Sequence, residues 1–142
     1  MKSTFSLLAF LALAAGCTSV SVPAPAHTAS LRVYELRTYT ATPGNLDKVL
    51  ARFRDHTRRL FEKHGMENVG YWVTTDAKDG AGGKLVYLLA HASREAAAAS
   101  WAAFRADPEW VAAKNASEVN GPIVAGTPES VFLSPTDFSS MK

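Results

Sequence analysis

The sequence predicts an α+β fold in which one sheet of four strands carries helices on one of its faces. Four short runs have the composition of strands, and two longer runs repeat apolar residues every three or four positions. The runs follow the order strand, helix, strand, strand, helix, strand, which is the split βαβ pattern of the ferredoxin-like class. The 142 residues are enough for one such domain.

The first predicted strand, Leu31–Thr40, mixes apolar and charged side chains on both faces. Glu35 and Arg37 lie on one face, and Tyr34 and Leu36 lie on the other. A strand with one solvated face alternates cleanly, so we expect protein on both sides of this one. Polar groups inside then need partners. Mutual pairing of Glu35 with Arg37, or a salt bridge across a dimer, is favoured over catalysis.

The first helix is predicted to begin near Asn45 and to end at His64. Its apolar stripe comprises Leu46, Val49, Leu50, Phe53, Thr57, Leu60 and Phe61. His64 falls at the centre of this stripe and is expected to face the sheet. Four arginines lie off the stripe and are predicted to form a solvated face: Arg52, Arg54, Arg58 and Arg59.

A hairpin is predicted next, from Met66–Thr75 and Lys84–His91 joined by the glycine-rich loop Asp76–Gly83. The strand Lys84–His91 is apolar on both faces, as in a strand covered on both sides. Because His91 ends this strand, we expect it at the surface.

The second half of the chain predicts two helices and a last strand. Ser93 is placed to cap a helix over Arg94–Ala106. Asp107-Pro108 breaks that helix and begins a short one over Glu109–Glu118. The last strand is Glu129–Ser134, which a proline ends.

All four predicted strands are apolar on both sides, although the helices cover only one face of the sheet. A monomer would therefore expose a large apolar patch. A second copy of the chain, laid face to face on this patch, removes the exposure. The sequence thus predicts a homodimer of the kind known as a dimeric α/β barrel.

The start of the chain has the pattern of an export signal. Lys2 precedes an apolar run, and small residues lead to the only cysteine. Ala14-Ala15-Gly16-Cys17 resembles a bacterial lipobox, which implies a signal peptide over residues 1–16 and lipidation of Cys17. The alternative is an ordinary secretory signal and a soluble secreted or periplasmic protein. In a Gram-negative host, the lipoprotein would face the periplasm or sit at the outer membrane.

The remaining boundaries follow from composition. Residues 17–30 are small, polar and proline-containing, so they are predicted to be a flexible tether. The folded domain is predicted over residues 31–138 and a short tail over 139–142.

Several motifs resemble the NIPSNAP family, in the right order along the chain. They are Tyr34-Glu35-Leu36-Arg37-Thr38-Tyr39, Phe61-Glu62-Lys63-His64-Gly65, Gly70-Tyr71-Trp72, Arg105-Ala106-Asp107-Pro108-Glu109-Trp110 and Phe132-Leu133-Ser134-Pro135. The resemblance implies the dimeric α/β-barrel fold. It does not imply a reaction, because relatives of the same fold include monooxygenases without cofactors, haem-degrading enzymes and isomerases.

Composition and motifs limit the chemistry that we expect. The net charge of +2 gives no support for nucleic-acid binding, and the four histidines show no metal-ligand spacing, so neither a metal nor a cofactor is predicted. We expect a small planar or aromatic molecule to bind in a cleft between helices and sheet. The alternative is a membrane-tethered dimer that presents a surface to another envelope protein and does not catalyse a reaction.

The candidate ligand-binding residues are Tyr34, Arg37, Tyr71 and Trp72. His64 is the candidate catalytic residue, for proton transfer next to Arg37. The competing interpretation of His64 is a residue that caps the helix or satisfies a core hydrogen bond. The catalytic hypothesis requires the His64 ring and the Arg37 guanidinium to meet in one cavity.

Overall fold

The computed structural model describes residues 32–141. Its strands are β1 (Val33–Thr40), β2 (Glu67–Val73), β3 (Lys84–His91) and β4 (Glu129–Leu133). The first helical stretch consists of α1 (Leu46–Arg52), a π-helical segment (Phe53–Thr57) and α2 (Arg58–Lys63). The second comprises α3 (Arg94–Ala106) and α4 (Pro108–Ser117). The predicted α+β, ferredoxin-like order of elements is confirmed.

The four strands form one antiparallel sheet in the order β2-β3-β1-β4. β1 is central and pairs with β3 from Val33↔His91 to Thr40↔Lys84. Its other edge pairs with β4, with Glu35 opposite Phe132 and Arg37 opposite Ser130. This register places Glu35 and Arg37 on the face of the sheet that also carries the buried aromatic residues of β3.

The core lies between this face of the sheet and the helices, and it is mostly aromatic. Phe61 packs against Phe104 with ring centroids 4.9 Å apart, and Phe53 packs against Tyr87 at 5.1 Å. Phe61 and Tyr87 are completely buried. Burying rings of this size supplies most of the stabilisation that holds the helices on the sheet.

The π-helical segment explains why the predicted position of Arg52 is wrong. A wheel of 3.6 residues per turn places Arg52 off the apolar stripe, but the structure buries it to 4% exposure. The π turn rotates the chain by a smaller angle per residue than an α turn. Val49 and Arg52 before the segment, Thr57 at its end and Leu60 after it therefore all face inward. The Thr57 hydroxyl donates to the Arg52 carbonyl at 3.2 Å within this wide turn.

His91 is also buried, at 2% exposure, which corrects the prediction that it lies at the surface. β3 does end at His91, opposite Val33, the first residue of β1. The imidazole Nε2 lies 3.1 Å from Glu35 Oε2, and the Phe132 ring centre lies 6.3 Å from that of the imidazole. His91 is thus enclosed by side-chain contacts with β1 and β4, although it ends its strand.

The helices α3 and α4 each begin at a residue whose side chain caps the first turn. Ser93 caps α3 as predicted, accepting from the Ala96 N–H at 3.1 Å. Asp107 caps α4 by accepting from the Glu109 N–H at 2.8 Å, and Pro108 occupies the first turn.

The other face of the sheet, which we call the open face, is apolar. Trp72, Val131 and Leu133 lie on it with exposures of 55%, 53% and 42%. The Trp72 ring covers Gly70, where an added Cβ would lie 2.4 Å from the ring, so the glycine is needed for this packing. Among residues 32–141, no helix is long and apolar enough to cross a membrane.

Candidate functional site

Glu35 lies at the centre of a buried polar network below α3. Its carboxylate accepts from Ser130 Oγ at 2.6 Å, Arg37 Nη1 at 2.7 Å, Trp101 Nε1 at 2.7 Å and His91 Nε2 at 3.1 Å. Burial by itself raises the pKa of Glu35, but the four donors outweigh it and lower the pKa to about 2. The carboxylate is therefore ionised at physiological pH and holds its donors in place.

Arg37 is fixed by this network and by Trp101. Its guanidinium lies 4.3 Å from the centre of the Trp101 ring, in cation–π geometry, while Nη1 bonds Glu35. The Nε of Arg37 is buried and has no hydrogen-bond partner among the described residues. The predicted pairing of Glu35 with Arg37 is confirmed.

A cavity of about 390 Å³ opens beside Arg37, between β1, the helices and the loop before β4. We call it the helix–sheet cavity. Its volume lies in the range of small-molecule sites. Four aromatic rings line it, from Tyr39, Trp101, Phe104 and Trp110. Four basic side chains and one carboxylate also line it: Arg37, Arg52, Arg105, Lys114 and Glu118.

Arg52 is the second fixed cation of this cavity. Its Nη1 donates to Glu118 Oε1 at 2.8 Å and to Ser117 Oγ at 3.1 Å, and its guanidinium lies 5.3 Å from the Trp110 ring centre. Burial raises the pKa of Glu118, but hydrogen bonds from Arg52 and Lys114 outweigh it and lower the pKa. Like Arg37, Arg52 has a buried Nε without a partner in the described part of the chain.

The helix–sheet cavity thus combines flat rings with fixed positive charge. Two guanidinium groups that line the cavity stack on two tryptophans, and in the described part of the chain the Nε of each has no hydrogen-bond partner. A planar molecule with an acidic group fits this combination, because its rings can stack on the aromatic lining and its oxygens can accept from the guanidinium groups.

His64 does not meet Arg37 in this cavity, so the geometry required by the catalytic hypothesis is absent. His64 ends α2, and its Nε2 lies 2.7 Å from Asp107 Oδ2. Asp107 also accepts from Lys63 Nζ at 2.8 Å. The hydrogen bond from Lys63 and then that from His64 lower the pKa of Asp107. The histidine links the end of α2 to the junction of α3 and α4, which is the structural role weighed above.

The other predicted ligand-binding residues lie apart from the helix–sheet cavity. Tyr34 and Trp72 lie on the open face, because the register of the strands places them opposite Ala90 and Val86. Tyr71 is on the helix side, stacked on Tyr87 at 5.5 Å, with its hydroxyl donating to Asn68. Of the five predicted site residues, Arg37 alone lines the helix–sheet cavity.

Sequence reasoning missed Arg52, Arg105 and Lys114 as site residues. Arg52 could not be predicted as a site residue because nothing in the sequence marks a π turn. A signal did exist for α3, where Arg94, Trp101 and Arg105 repeat at helical spacing. Among residues 32–141, no group of three or more His, Cys, Asp and Glu side chains could hold a metal ion.

Comparison with solved structures supports the fold at low sequence identity. A NIPSNAP family protein of unknown function from Agrobacterium tumefaciens is 24% identical, with a TM-score of 0.66 over 82% of this chain and 98% of that chain. A NIPSNAP-like domain protein from Burkholderia xenovorans is 21% identical, with a TM-score of 0.65 over 78% of this chain and 90% of that chain.

A monooxygenase from Streptomyces coelicolor, solved in complex with the ligand nanaomycin D, is similar in fold. It is 18% identical, with a TM-score of 0.55 over 80% of this chain and 95% of that chain. No curated protein matches the chain. The sequence model of the NIPSNAP family matches residues 34–140, which is most of the chain. The resemblance found in the motifs is confirmed, and this chain belongs to the NIPSNAP family.

Proposed function

We propose that this protein binds a small planar molecule with an acidic group in the helix–sheet cavity. The main support for the proposal is that Arg37 and Arg52 line the same cavity as four aromatic rings. The two guanidinium groups are held in place by Trp101 and Trp110, whose rings they stack on. The S. coelicolor monooxygenase of similar fold was solved with a bound ligand, nanaomycin D, so binding of a small molecule is compatible with this fold.

We propose that the protein binds the ligand, and we assign no reaction to it. His64, the candidate for proton transfer, is paired with Asp107, and the residues that line the helix–sheet cavity include no histidine. An open cavity of about 390 Å³ favours a ligand site over the alternative of an interaction module, for which a filled cleft is expected.

Calorimetric titration with para-phenylbenzoate tests the proposal, with the neutral amide para-phenylbenzamide as the matched ligand. We expect the acid to bind at least about tenfold more tightly than the amide, because charged hydrogen bonds are worth about 1.5–3 kcal/mol. Arg52→Gln should weaken binding of the acid by about tenfold. Arg54→Gln, which removes the same charge from an exposed site outside the cavity, should leave it unchanged.

Equal affinity for acid and amide would contradict the proposal, as would equal effects of Arg52→Gln and Arg54→Gln. Because Arg52 is buried, Lys114→Gln serves as a second variant at an exposed position in the cavity wall. Like Arg52→Gln, Lys114→Gln should weaken the binding of para-phenylbenzoate, and it should do so without a change in the melting temperature.

We also propose that two copies of the chain pair through the open face. The exposed apolar residues Trp72, Val131 and Leu133 support this, since contiguous apolar surface of this kind marks an interaction site. Half-buried Leu36, Val86 and Leu88 lie between them on the same face.

Membrane tethering through lipidated Cys17 remains a proposal, and it rests on the lipobox-like sequence. Cys17 and the signal segment lie outside the described residues. We expect Cys17→Ala to move the protein from the membrane fraction to the soluble fraction of cells. Retention of this variant in the membrane would exclude the lipid anchor.

A further inference from the structure

A second cavity, of about 350 Å³, adjoins the helix–sheet cavity. Both are lined by Arg37, Trp101 and Arg105. The second cavity adds Arg94 of α3 and Phe132 of β4, and we call it the α3–β4 cavity. The two cavities therefore meet at one wall, and a single molecule that extends past this wall would contact both.

The α3 helix presents a basic face to the α3–β4 cavity. Arg94, Ala98, Trp101 and Arg105 are four, three and four residues apart, so they share one side of the helix. The small side chain of Ala98 leaves space between the two arginines. At 1.5 Å per residue, Arg94 and Arg105 lie roughly 16 Å apart along the helix axis, and the groove between them is long enough for an elongated molecule.

These two arginines form no salt bridge within residues 32–141. Arg94 stacks on Phe132, with its guanidinium 4.2 Å from the ring centre, and Arg105 is exposed at the shared wall. Glu35 is the carboxylate that lines this cavity, and it already accepts from four donors. In the described part of the chain, the guanidinium groups of Arg94 and Arg105 are thus not held by a carboxylate, unlike that of Arg52, which pairs with Glu118.

We infer that the ligand carries two acidic groups, one for each cavity. The helix–sheet cavity takes the rings and the first acidic group, and Arg94, which lines only the α3–β4 cavity, binds the second group. The ligand class is an elongated aromatic dianion such as an aromatic dicarboxylate. This inference rests on the proposed function and adds to it the second charge of the ligand.

Pairs of ligands that differ by one carboxylate test the inference by calorimetry. The pairs are benzoate with terephthalate, and para-phenylbenzoate with its para,para′-dicarboxylate. For at least one pair, we expect the dicarboxylate to bind about tenfold more tightly than the monocarboxylate. Arg94→Gln should abolish this gain and leave the affinity for the monocarboxylate unchanged. Arg54→Gln is the matched control, since it removes one exposed arginine outside both cavities.

The possible results separate this inference from the proposed function. If the monocarboxylates bind but neither dicarboxylate binds more tightly, the second subsite is wrong and the proposed function stands. If Arg94→Gln weakens both members of a pair equally, Arg94 does not define a separate subsite and the inference is overturned. If the monocarboxylates do not bind, the proposed function fails and this inference fails with it. Arg94 is exposed, so its substitution is expected to leave the melting temperature unchanged.

Discussion

Glu35 is the residue on which the geometry of the candidate site depends. Its side chain is almost fully buried and accepts from donors on β1, β3, α3 and β4. A buried carboxylate is stable only with such a set of donors. Here the donors include Arg37 and Trp101, which line both cavities. Glu35 is therefore a positioning residue that holds a cation and a ring in contact.

We expect Glu35→Gln to lower the free energy of unfolding by on the order of 3 kcal/mol, because it leaves the half-buried Arg37 without its carboxylate. Urea denaturation at neutral pH measures the change. Ser130→Ala, which removes one donor and leaves the charge pair, should cost on the order of 1 kcal/mol. Similar costs for both variants would show that the charge of Glu35 is unimportant.

The same residue should give the protein a dependence of stability on pH. The folded state lowers the pKa of Glu35 from its ordinary value of 4.5 to about 2. The stabilisation is therefore complete above about pH 4.5 and is lost as the pH falls towards 2. Denaturation of the wild type and of Glu35→Gln at several pH values should show this loss in the wild type, and a smaller loss in the variant. Parallel curves would contradict this assignment.

In the first helical stretch, the helix type and not the periodicity of the sequence determines which way Arg52 faces. Arg52 faces the cavity because the π-helical segment Phe53–Thr57 changes the rotation of the chain. A π segment behaves as one residue inserted into an α-helix. Removing one exposed residue from it restores regular α geometry and keeps both halves facing the core.

Deletion of Asp55, which is exposed, should therefore give a folded protein with an unfolding free energy lower by about 2 kcal/mol or less. Deletion of Ala99 from α3 is the control. Because α3 is a regular α-helix, loss of the single residue Ala99 would rotate Trp101 and Phe104 by about 100° relative to the start of the helix and out of the core. Circular dichroism melting distinguishes the two. Unfolding of both variants would show that the π segment is not an insertion.

The elements that the sequence predicts well are those with strong periodicity or clear caps. β3 and α3 have the predicted bounds because alternation defines the strand, and Ser93 and Asp107 cap the helix ends. The site was less predictable. The position of Arg52 depends on a local π turn, which the apolar pattern does not reveal. His91 depends on the carboxylate of Glu35, and His64 on that of Asp107. The last two are contacts between distant parts of the chain, which helical or strand periodicity does not report.

At the scale of the whole molecule, the two faces of the sheet have different surroundings. The helix side holds the core and both cavities, whereas the open face exposes Trp72, Val131 and Leu133. The open face is thus apolar, and the described helices do not cover it. A dimer through this face would leave the helix–sheet cavity of each copy accessible, so ligand binding and pairing are independent proposals.

We expect light scattering at micromolar concentration to give twice the mass of the chain. Trp72→Asp should weaken pairing by about thirtyfold or more, because a large ring buried in an interface contributes about 2 kcal/mol or more and a charge in its place must be desolvated. Val119→Asp adds the same charge at a residue that is 78% exposed and lies after α4, so it should remain dimeric. A monomeric wild type would exclude the dimer.

A crystal structure of the protein soaked with para-phenylbenzoate tests the central claim most directly. We expect the biphenyl rings inside the helix–sheet cavity against Trp101 and Trp110, with the carboxylate within hydrogen-bonding distance of Arg37 or Arg52. Ligand bound elsewhere on the surface at saturating concentration, with no contact to either arginine, would contradict this proposal.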